Sequence, residues 1–520
     1  MKKATFLILT AVLAAVCGKA RAWEDDTAEN TQITPTRLNY YETDVKTNAD
    51  GVTFVFILGA GSPPSMRLQI VSPEGERLLA RGGEVISQEA NNSWFGFNQY
   101  VELDSRGDAF IGVEDWRTAP DEGLSTYSIY KYTAQGTKVL DGALLNGGKG
   151  HRLSSGLAMQ ATDDGGVVCA FNYNVEEEDA DYVMAEKLDA DGRSLWKATL
   201  YKADGFSNPL PYLTDAGDGR TAVFIAAGGQ VHMQIMRADG STELAQPKTV
   251  YTGGMASAKA WEVFNVEELP GHKAMLSVVD GSKQGRLMVV GPDGGILLDG
   301  SDKGVLLNAD YAYASDKPAV TYNAADDTYT CAYKIMDRYE QSLSQVMLQK
   351  VNGADGSAAW AEPKVLLPFS DASWYGYTLA RDAGGGRTAV FFMEMNTTDY
   401  NDVKAYMQTV DSEGCTVGSR TAFATSHATK QTLRVSQLTG GRFIAAWDEE
   451  RTGQNSLFMQ AVTPQGGTSV TQPETYGDGE CSRKEYFTPD GMKIQSPQRG
   501  LNIVRSTAGG RVTTHKFIKR

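Results

Sequence analysis

The amino-acid sequence predicts an all-β protein, a β-propeller of about eight four-stranded antiparallel blades. Three observations lead there. The segment GGRTAVF at 385–391 returns as DGRTAVF at 218–224, and weaker copies recur about every 55 residues, a period of solenoids and propellers. Each copy carries two turn corners, which divide a unit into four strands. The stretches between corners are rich in β-branched and aromatic residues and lack helical spacing. A seven-bladed ring with one irregular unit is the alternative closure.

Taken in chain order, Lys2 and Lys3, the apolar run 4–16 and Ala20-Arg21-Ala22 have the three parts of a secretory signal peptide, with cleavage expected before Trp23. Residues 1–22 are therefore set apart from the fold. Residues 23–35 are expected to be a linker or a strand closing the last blade, and the repeats fill 36–480. First corners fall at Gly51, Gly107, Gly166, Gly219, Gly271, Asp327, Gly386 and Gly441. Second corners, mostly DG-type hairpin turns, fall at Gly75, Gly136, Gly192, Gly240, Gly294, Gly356, Gly414 and Gly466. Six residues before the second corner the third strand carries an amide, Gln69, Gln234, Gln408 and Gln460, with Gln349 displaced by one. A buried amide needs partners, and backbone groups of the next unit are the expected ones. Over 485–520 the pattern changes to three short strands with DG and GG corners and a basic end.

Composition narrows the function classes. A chain of 520 residues with formal net charge −15 can bury a large core but is too acidic for a nucleic-acid binder. Beyond the N-terminal run no stretch approaches the roughly 18 consecutive apolar residues of a membrane span. Cys169, Cys331, Cys415 and Cys481 show no CxxC or Cys/His ligand spacing, so neither a zinc site nor a dense disulfide framework is expected. Cys169 and Cys331 hold the same position in two copies and are expected as small buried fillers of separate cores. The histidines, His151, His232, His272, His427 and His515, lie in different units or in the tail without metal spacing. No GxSxG elbow or P-loop is present, and GxG fragments such as 217–219 are corners that open no helix.

The pieces VEDWR (113–117), AAWDEER (445–451), AEKLDADGRSLW (185–196) and VNGADGSAAW (351–360) resemble a repeat of secreted bacterial propeller-like proteins. In that repeat a glycine corner leads to a strand ending near W-x-D-x-R, and a later strand reads roughly IYAQRLDxDG before a Trp. The resemblance covers most of 36–480 and implies the propeller-like fold without any chemistry. The C-terminal elements Pro489-Asp490-Gly491, Gly500 with 501–504, and the basic cluster with Lys516, Lys519 and Arg520 resemble the sorting tail of type IX (Por) secretion substrates. That resemblance implies export to the surface or medium through the type IX machinery.

In an up-and-down blade the two corners emerge on one face of the ring and the longer loops on the other, where binding groups are expected. The leading segments 92–97 and 372–377 are a related pair on the long-loop face. Trp94, Phe97, Trp374 and Tyr375, with Trp261, are expected to line the channel mouth and offer flat faces to sugars or apolar side chains. The loops of that face are acidic: Glu114, Asp115, Asp121 and Glu122; Glu176, Glu177, Glu178, Asp179 and Asp181; Glu394, Asp399 and Asp402; Asp448, Glu449 and Glu450. They would suit cationic ligands or Ca2+, although no calcium-binding motif calls for it. Asp115 with Arg117, and Asp448 with Arg451, match the Asp/Arg corner of the repeat and are read as loop-fixing ion pairs.

The expected function is a secreted or surface-displayed binding or scaffold protein for a glycan or protein ligand, without catalytic residues or a resident cofactor. A glycoside hydrolase using paired carboxylates on that face, and a purely structural surface protein, are the alternatives.

Overall fold

The computed structural model describes residues 23–24, 26–34, 39–60, 65–80, 82–87, 100–119, 124–151, 156–175, 178–205, 207–307, 316–337, 343–437, 442–463, 483–489, 492–494, 498–508 and 511–519. The expected signal peptide lies outside them. Eight four-stranded antiparallel sheets follow one another along the chain as blades 1 (39–87), 2 (101–144), 3 (157–204), 4 (210–251), 5 (264–306), 6 (319–367), 7 (373–424) and 8 (429–462). Within each, the first strand in sequence is innermost. Blade 8 takes its outermost strand from the other end of the chain: Thr31–Gln32 pairs antiparallel with Asn455–Val462, so the ring is closed by its own N-terminal segment.

The repeated apolar strand explains the packing. In Arg220–Ala227, Phe224 and its alternate neighbours Ala222 and Ala226 enter the core shared with blade 5, while Val223, Ile225 and Ala227 enter the core shared with blade 3. Side chains alternate across a strand, so a sheet sandwiched between two others reads as a continuous apolar run rather than as alternation. The copy at Arg387–Asn396 does the same, sending Phe391 toward blade 8 and Phe392 toward blade 6. Cys169 and Cys331 are free and buried in two such inter-blade cores, as expected of small fillers.

Corner chemistry is equally regular. At Gly51, Gly107, Gly192 and Gly414 the glycine N–H closes a turn on the carbonyl three residues earlier, and φ lies between 73° and 85°. Side chains tend to avoid that region, which selects glycine. In blade 3 the positive φ belongs to Gly165 rather than Gly166, and in blade 6 Asp327 adopts φ 50° in place of a glycine. The recurrent amide clamps its own blade, which corrects the expectation of a partner in the next unit. Gln69 Nε2 donates to Ala80 O at 2.9 Å while its Oε1 accepts from Leu79 N at 3.1 Å, and Gln234 holds Leu244 in the same two-way manner. The amide thus substitutes for ladder hydrogen bonds where the fourth strand begins.

A second regularity links blades. At five joints the residue four after a second-corner glycine covers the second-corner glycine of the next blade: Leu79 covers Gly136, Leu140 covers Gly192, Trp196 covers Gly240, Leu298 covers Gly356 and Trp360 covers Gly414, whereas Gly294 meets Met233 and Lys248 instead. Where that residue is Trp, its indole N–H also donates to the corner carbonyl, from Trp196 to Ala238 and from Trp360 to Ser412, each at 3.0 Å. Trp23 makes the same contact on Gly75 and Pro73 O, at 2.9 Å, from blade 8 to blade 1. The Trp of the repeat is a latch between blades.

The C-terminal segment folds as a separate four-stranded sheet, Arg483–Phe487, Lys493–Ile494, Gly500–Ala508 and Arg511–Lys519, one strand more than expected. Pro489 sits in the turn after the first of these and Gly500 opens the third; Lys516 is exposed on the fourth. Asp490, Gly491 and Arg520, and the side chain of Lys519, lie outside the described residues. Among the described residues no helix is long and apolar enough to cross a membrane.

Candidate functional site

The eight innermost strands surround a central cavity of about 710 Å3. Every blade contributes to it. The lining comes from the corner-side half of the inner strands: Asp44 and Lys46 in blade 1, Glu102 in blade 2, Gln160 in blade 3, Leu213 in blade 4, Asn265, Glu267 and Glu268 in blade 5, Thr321 and Tyr322 in blade 6, Arg381 and Asp382 in blade 7, Arg434 and Ser436 in blade 8. A neighbouring cavity of about 580 Å3 lies among the first corners of blades 2 to 5 and shares Gln160 and Glu268 with the first. The concavity described by these residues therefore opens on the tight-hairpin face, opposite to the long-loop face expected from sequence.

The cavity lining is rich in charge. Lys46 Nζ lies 3.7 Å from Glu102 Oε2, Asp44 Oδ2 accepts Tyr100 N and Val101 N at 2.9 Å each, and Glu268 Oε2 accepts Asp215 N at 3.0 Å. Burial pushes the Glu102 carboxyl up to about 7 against the pull of Lys46. Burial and the charge on Asp215 likewise raise Glu268, and burial works against charge on Lys46, but Glu102 and Asp44 hold its ammonium above its ordinary value. A base raised against its own burial reports nearby negative charge. Beside blade 5 burial, reinforced by Arg434, pushes Lys317 down to about 8.

The sign of the Glu102 shift gives a test. With a folded value near 7 and an unfolded value near 4.3, the folded chain binds the extra proton, so the ionised carboxyl costs stability above pH 7 and the cost vanishes below about pH 4. Glu102→Gln is expected to raise the thermal midpoint at pH 8 and leave it unchanged at pH 4, read by calorimetry at both values; an equal shift at both would refute the burial argument.

Beside the first cavity, His272 Nδ1 lies 2.9 Å from Asp215 Oδ2, joining the corners of blades 5 and 4, and the His272 ring packs on Gly217. His272 has φ 58°. Its position at a corner hid this pairing from any reading of local spacing.

The residues expected to form a mouth behave differently. Trp94 and Phe97 lie outside the described residues. Tyr375 is core rather than mouth: it is 5% exposed and packs edge-on against Phe392 between blades 6 and 7. Trp261, on the short helix Ala260–Val263, is half-buried against the core of blades 4 and 5. Trp374 is half-buried, folded over Gly376, with Lys334 Nζ 4.2 Å from its ring centre. Large aromatic rings are strong core material, and these three follow that rule.

Much of the expected acidic rim is also internal. Glu114, Asp115, Asp181, Asp448 and Glu449 are each 3% exposed or less. They act as brackets: Ser87 Oγ of blade 1 donates to Asp115 Oδ2 at 2.6 Å, and Asp181 Oδ2 accepts Ser207 N and Asn208 N ahead of blade 4. Glu178, Asp179 and Glu450 are exposed, while Asp121, Glu122, Glu176 and Glu177 lie outside the described residues, as does the side chain of Arg117. The expected Asp448–Arg451 pair is corrected: Arg451 Nε binds Glu449 Oε1 at 2.6 Å. The Arg flanks the carboxylate two residues away, on the same side of the strand. Among the described residues no three His, Cys, Asp or Glu side chains converge as metal ligands.

The chain matches no protein-family model and no curated protein. Among solved structures it is similar to prolyl oligopeptidase B from Galerina marginata, with TM-score 0.42 and 11% identity over 86% of this chain and 59% of that one. It is also similar to the polysaccharide lyase Uly1, with TM-score 0.39 and 10% identity over 75% of this chain and 93% of that one. The β-propeller domain of the Trilobed protease from Pyrococcus furiosus gives TM-score 0.37 and 10% identity over 75% and 97%. The chain thus spans 59% of the length of the oligopeptidase. These likenesses say nothing of this chain's chemistry.

Proposed function

We propose that the protein is an exported, non-catalytic binding protein that takes a polar ligand, foremost a saccharide, into its central channel from the tight-hairpin face. The observation that carries the reading is the cavity of about 710 Å3 on which charged and amide side chains from all sides of the ring converge. Ligand sites fall in this size range and fix their ligands with a few polar groups on a rigid frame. Export rests on sequence alone, on the signal-peptide pattern of 1–22 and the tail elements from Pro489 to the basic end, and display through a type IX route belongs to the same proposal.

Asn265 lines the channel and donates only within its own blade, to Glu267 Oε1 at 3.0 Å. Asn265→Trp is therefore expected to plug the channel without unfolding the ring and to weaken binding of a saccharide panel at least about tenfold. Trp374→Ala, on the other face, is expected to change nothing. Unaltered binding by the plugged variant, measured by calorimetry, would overturn the channel as the site. One observation favours a glycoside hydrolase as a second reading: Glu102, held near 7 beside Glu268, has the character of a general acid. Turnover of any glycoside that disappears in Glu102→Gln would put that reading first.

A further inference from the structure

The innermost strands of blades 7 and 8 share an irregularity that those of blades 5 and 6 lack; that of blade 1 also slips by one residue, between Tyr41 and Thr43. In Ser373–Gly384 the pairing slips by one residue between Gly376 and Leu379, opposite Met393 and Phe391. In Thr429–Gln437 it slips in the same way between Gln431 and Arg434, opposite Asp448 and Ala446. Each bulge holds a non-glycine residue in the left-handed region, Tyr377 at φ 51° and Thr432 at φ 58°. A tyrosine and a β-branched threonine are among the residues least suited to that backbone. Two adjacent blades keep the same unfavourable feature.

Bulges re-aim side chains, and backbone strain persists where the surrounding structure holds it for a purpose. Tyr377 is left 39% exposed, which is unusual for a large aromatic in this fold, and lies outside the cavity lining. Arg434 is the first residue to regain pairing after the second bulge, and it lines the channel. Its guanidinium donates only to the carbonyl of Leu433, at 3.3 Å. Arg381, also on the channel wall, donates Nε to Val435 O at 3.0 Å and Nη1 to Ala380 O at 2.8 Å. Lys317, whose charge is felt by Arg434, donates to the carbonyls of Trp261 and Phe264 at 3.2 and 3.4 Å.

No carboxylate of the described residues pairs with any of these three cations. Elsewhere in the ring Arg286 pairs with Asp280 at 2.8 Å, Arg420 with Glu394 at 2.9 Å and Arg451 with Glu449 at 2.6 Å, while Arg67, Arg387 and Arg442 bind carbonyls as Arg381 does; Arg434 is exposed. The guanidinium fork matches a planar or tetrahedral oxyanion, and two of them on neighbouring strands leave donors directed at the cavity.

We propose that Arg381 and Arg434 form an oxyanion subsite of the channel, selecting saccharides that carry a carboxylate or a sulfate group. The inference deepens the binding reading and rests on it for the saccharide, though not for the anion. The carboxylates of Asp44, Glu102, Glu267 and Glu268 in the same lining then face sugar hydroxyl groups. The channel is enclosed by eight strands, so a chain terminus or a few sugar rings fit where a folded protein does not.

The experiment compares matched neutral, carboxylated and sulfated oligosaccharides, a peptide with a free C-terminal carboxylate, and inorganic sulfate alone, by calorimetry on the full chain. The acidic oligosaccharides are expected to bind roughly ten- to a hundredfold more tightly than the neutral one, the worth of charge-assisted hydrogen bonds. Which of the two acidic forms binds better identifies the anion. Arg434→Gln, which breaks no bond between blades, is expected to remove most of that preference, weakening the acidic forms roughly tenfold or more and the neutral form far less. Arg434-dependent binding of sulfate without any saccharide binding would keep the subsite and remove the saccharide reading. Equal affinity for neutral and acidic forms, tighter binding of the peptide than of every saccharide, or no loss in Arg434→Gln would overturn the proposal.

Discussion

Replacing Glu449 by alanine is expected to lower the stability of the ring by about 3–5 kcal/mol, the cost of removing one partner from a buried ionic network. Glu449 has no exposed surface. Its carboxylate accepts Trp447 Nε1 at 2.8 Å and Arg451 Nε at 2.6 Å, and also the Ser426 hydroxyl; Lys430 Nζ lies 3.9 Å away. Lys430 itself is fully buried and donates to Val403 O of blade 7 at 2.7 Å and to Ser426 O at 2.6 Å. Arg451 reaches back to Glu29 at 3.7 Å in the N-terminal segment. One carboxylate thus compensates two cations where blade 7, blade 8 and the closing segment meet.

The pH dependence of the variant follows from Lys430. Burial, only partly offset by Glu449, pushes its ammonium down to about 8, below an unfolded value near 10.4. A lowered amine destabilises the fold below its folded value, and the penalty fades as pH rises from there toward the unfolded value. Without Glu449 the folded value falls further, so recovery begins at lower pH. Urea titrations at pH 6 and pH 9 are therefore expected to show Glu449→Ala closer to the wild type at pH 9, and Glu449→Gln milder at both. A loss below about 1 kcal/mol at pH 6 would mean that the network is solvated and the argument fails.

How much of this was readable beforehand depends on whether a feature repeats. The apolar strand, the corners and the number of blades are written eight times, and repetition separates them from local noise. The Trp of DGRSLW and NGADGSAAW was visible as a pattern, but its role needs the neighbouring blade, since the glycine it covers lies about 50 residues away in sequence. The amides were visible too, and their partners were misassigned because a third strand can clamp either its own blade or the next.

The site was barely legible, for the opposite reason. Cavity residues are those in which copies differ: counting five back from the first corner gives Lys46 from Gly51, Glu102 from Gly107, Tyr322 from Asp327, Arg381 from Gly386 and Ser436 from Gly441, all of which line the channel. Aligning the copies on that corner would have found them. Trp374 and Tyr375 attracted notice as aromatics, but an aromatic beside a blade junction is drawn into the junction. Asp448 and Arg451 attracted notice by adjacency, yet side-chain parity along a strand placed Glu449, not Asp448, beside the arginine. The bulges at Tyr377 and Thr432 leave no mark in composition, because the backbone there is imposed by tertiary contacts.

The N-terminal closure supplies the second large effect. Trp23→Ala is expected to cost about 3 kcal/mol or more, the usual range for a buried Trp reduced to Ala. Its ring is 5% exposed in the core between blades 8 and 1, and its N–H is spent on Pro73 O. Trp196→Ala removes the same latch between blades 3 and 4, but there the chain itself still joins the two blades. Between blades 8 and 1 the joint is noncovalent. It includes Trp23, Arg442 Nη2 on Pro73 O at 3.1 Å and Thr47 N on Ser436 Oγ at 3.0 Å, and the N-terminal segment is held by the short pairing of Thr31–Gln32 and Leu457 N on Thr34 Oγ1 at 2.9 Å in blade 8 and by Asn30 Nδ2 on Phe423 O at 2.7 Å in blade 7. Loss of the latch should free these together and expose the edge of Asn455–Val462, a flat apolar strand prone to pairing with another chain. Hydrogen exchange is the direct readout: Trp23→Ala is expected to accelerate exchange throughout Asn455–Val462 and to promote concentration-dependent association, whereas Trp196→Ala speeds exchange only near its own corner. If the two variants exchange alike, closure does not depend on the N-terminal segment, and the ring must be held by its inter-blade cores alone.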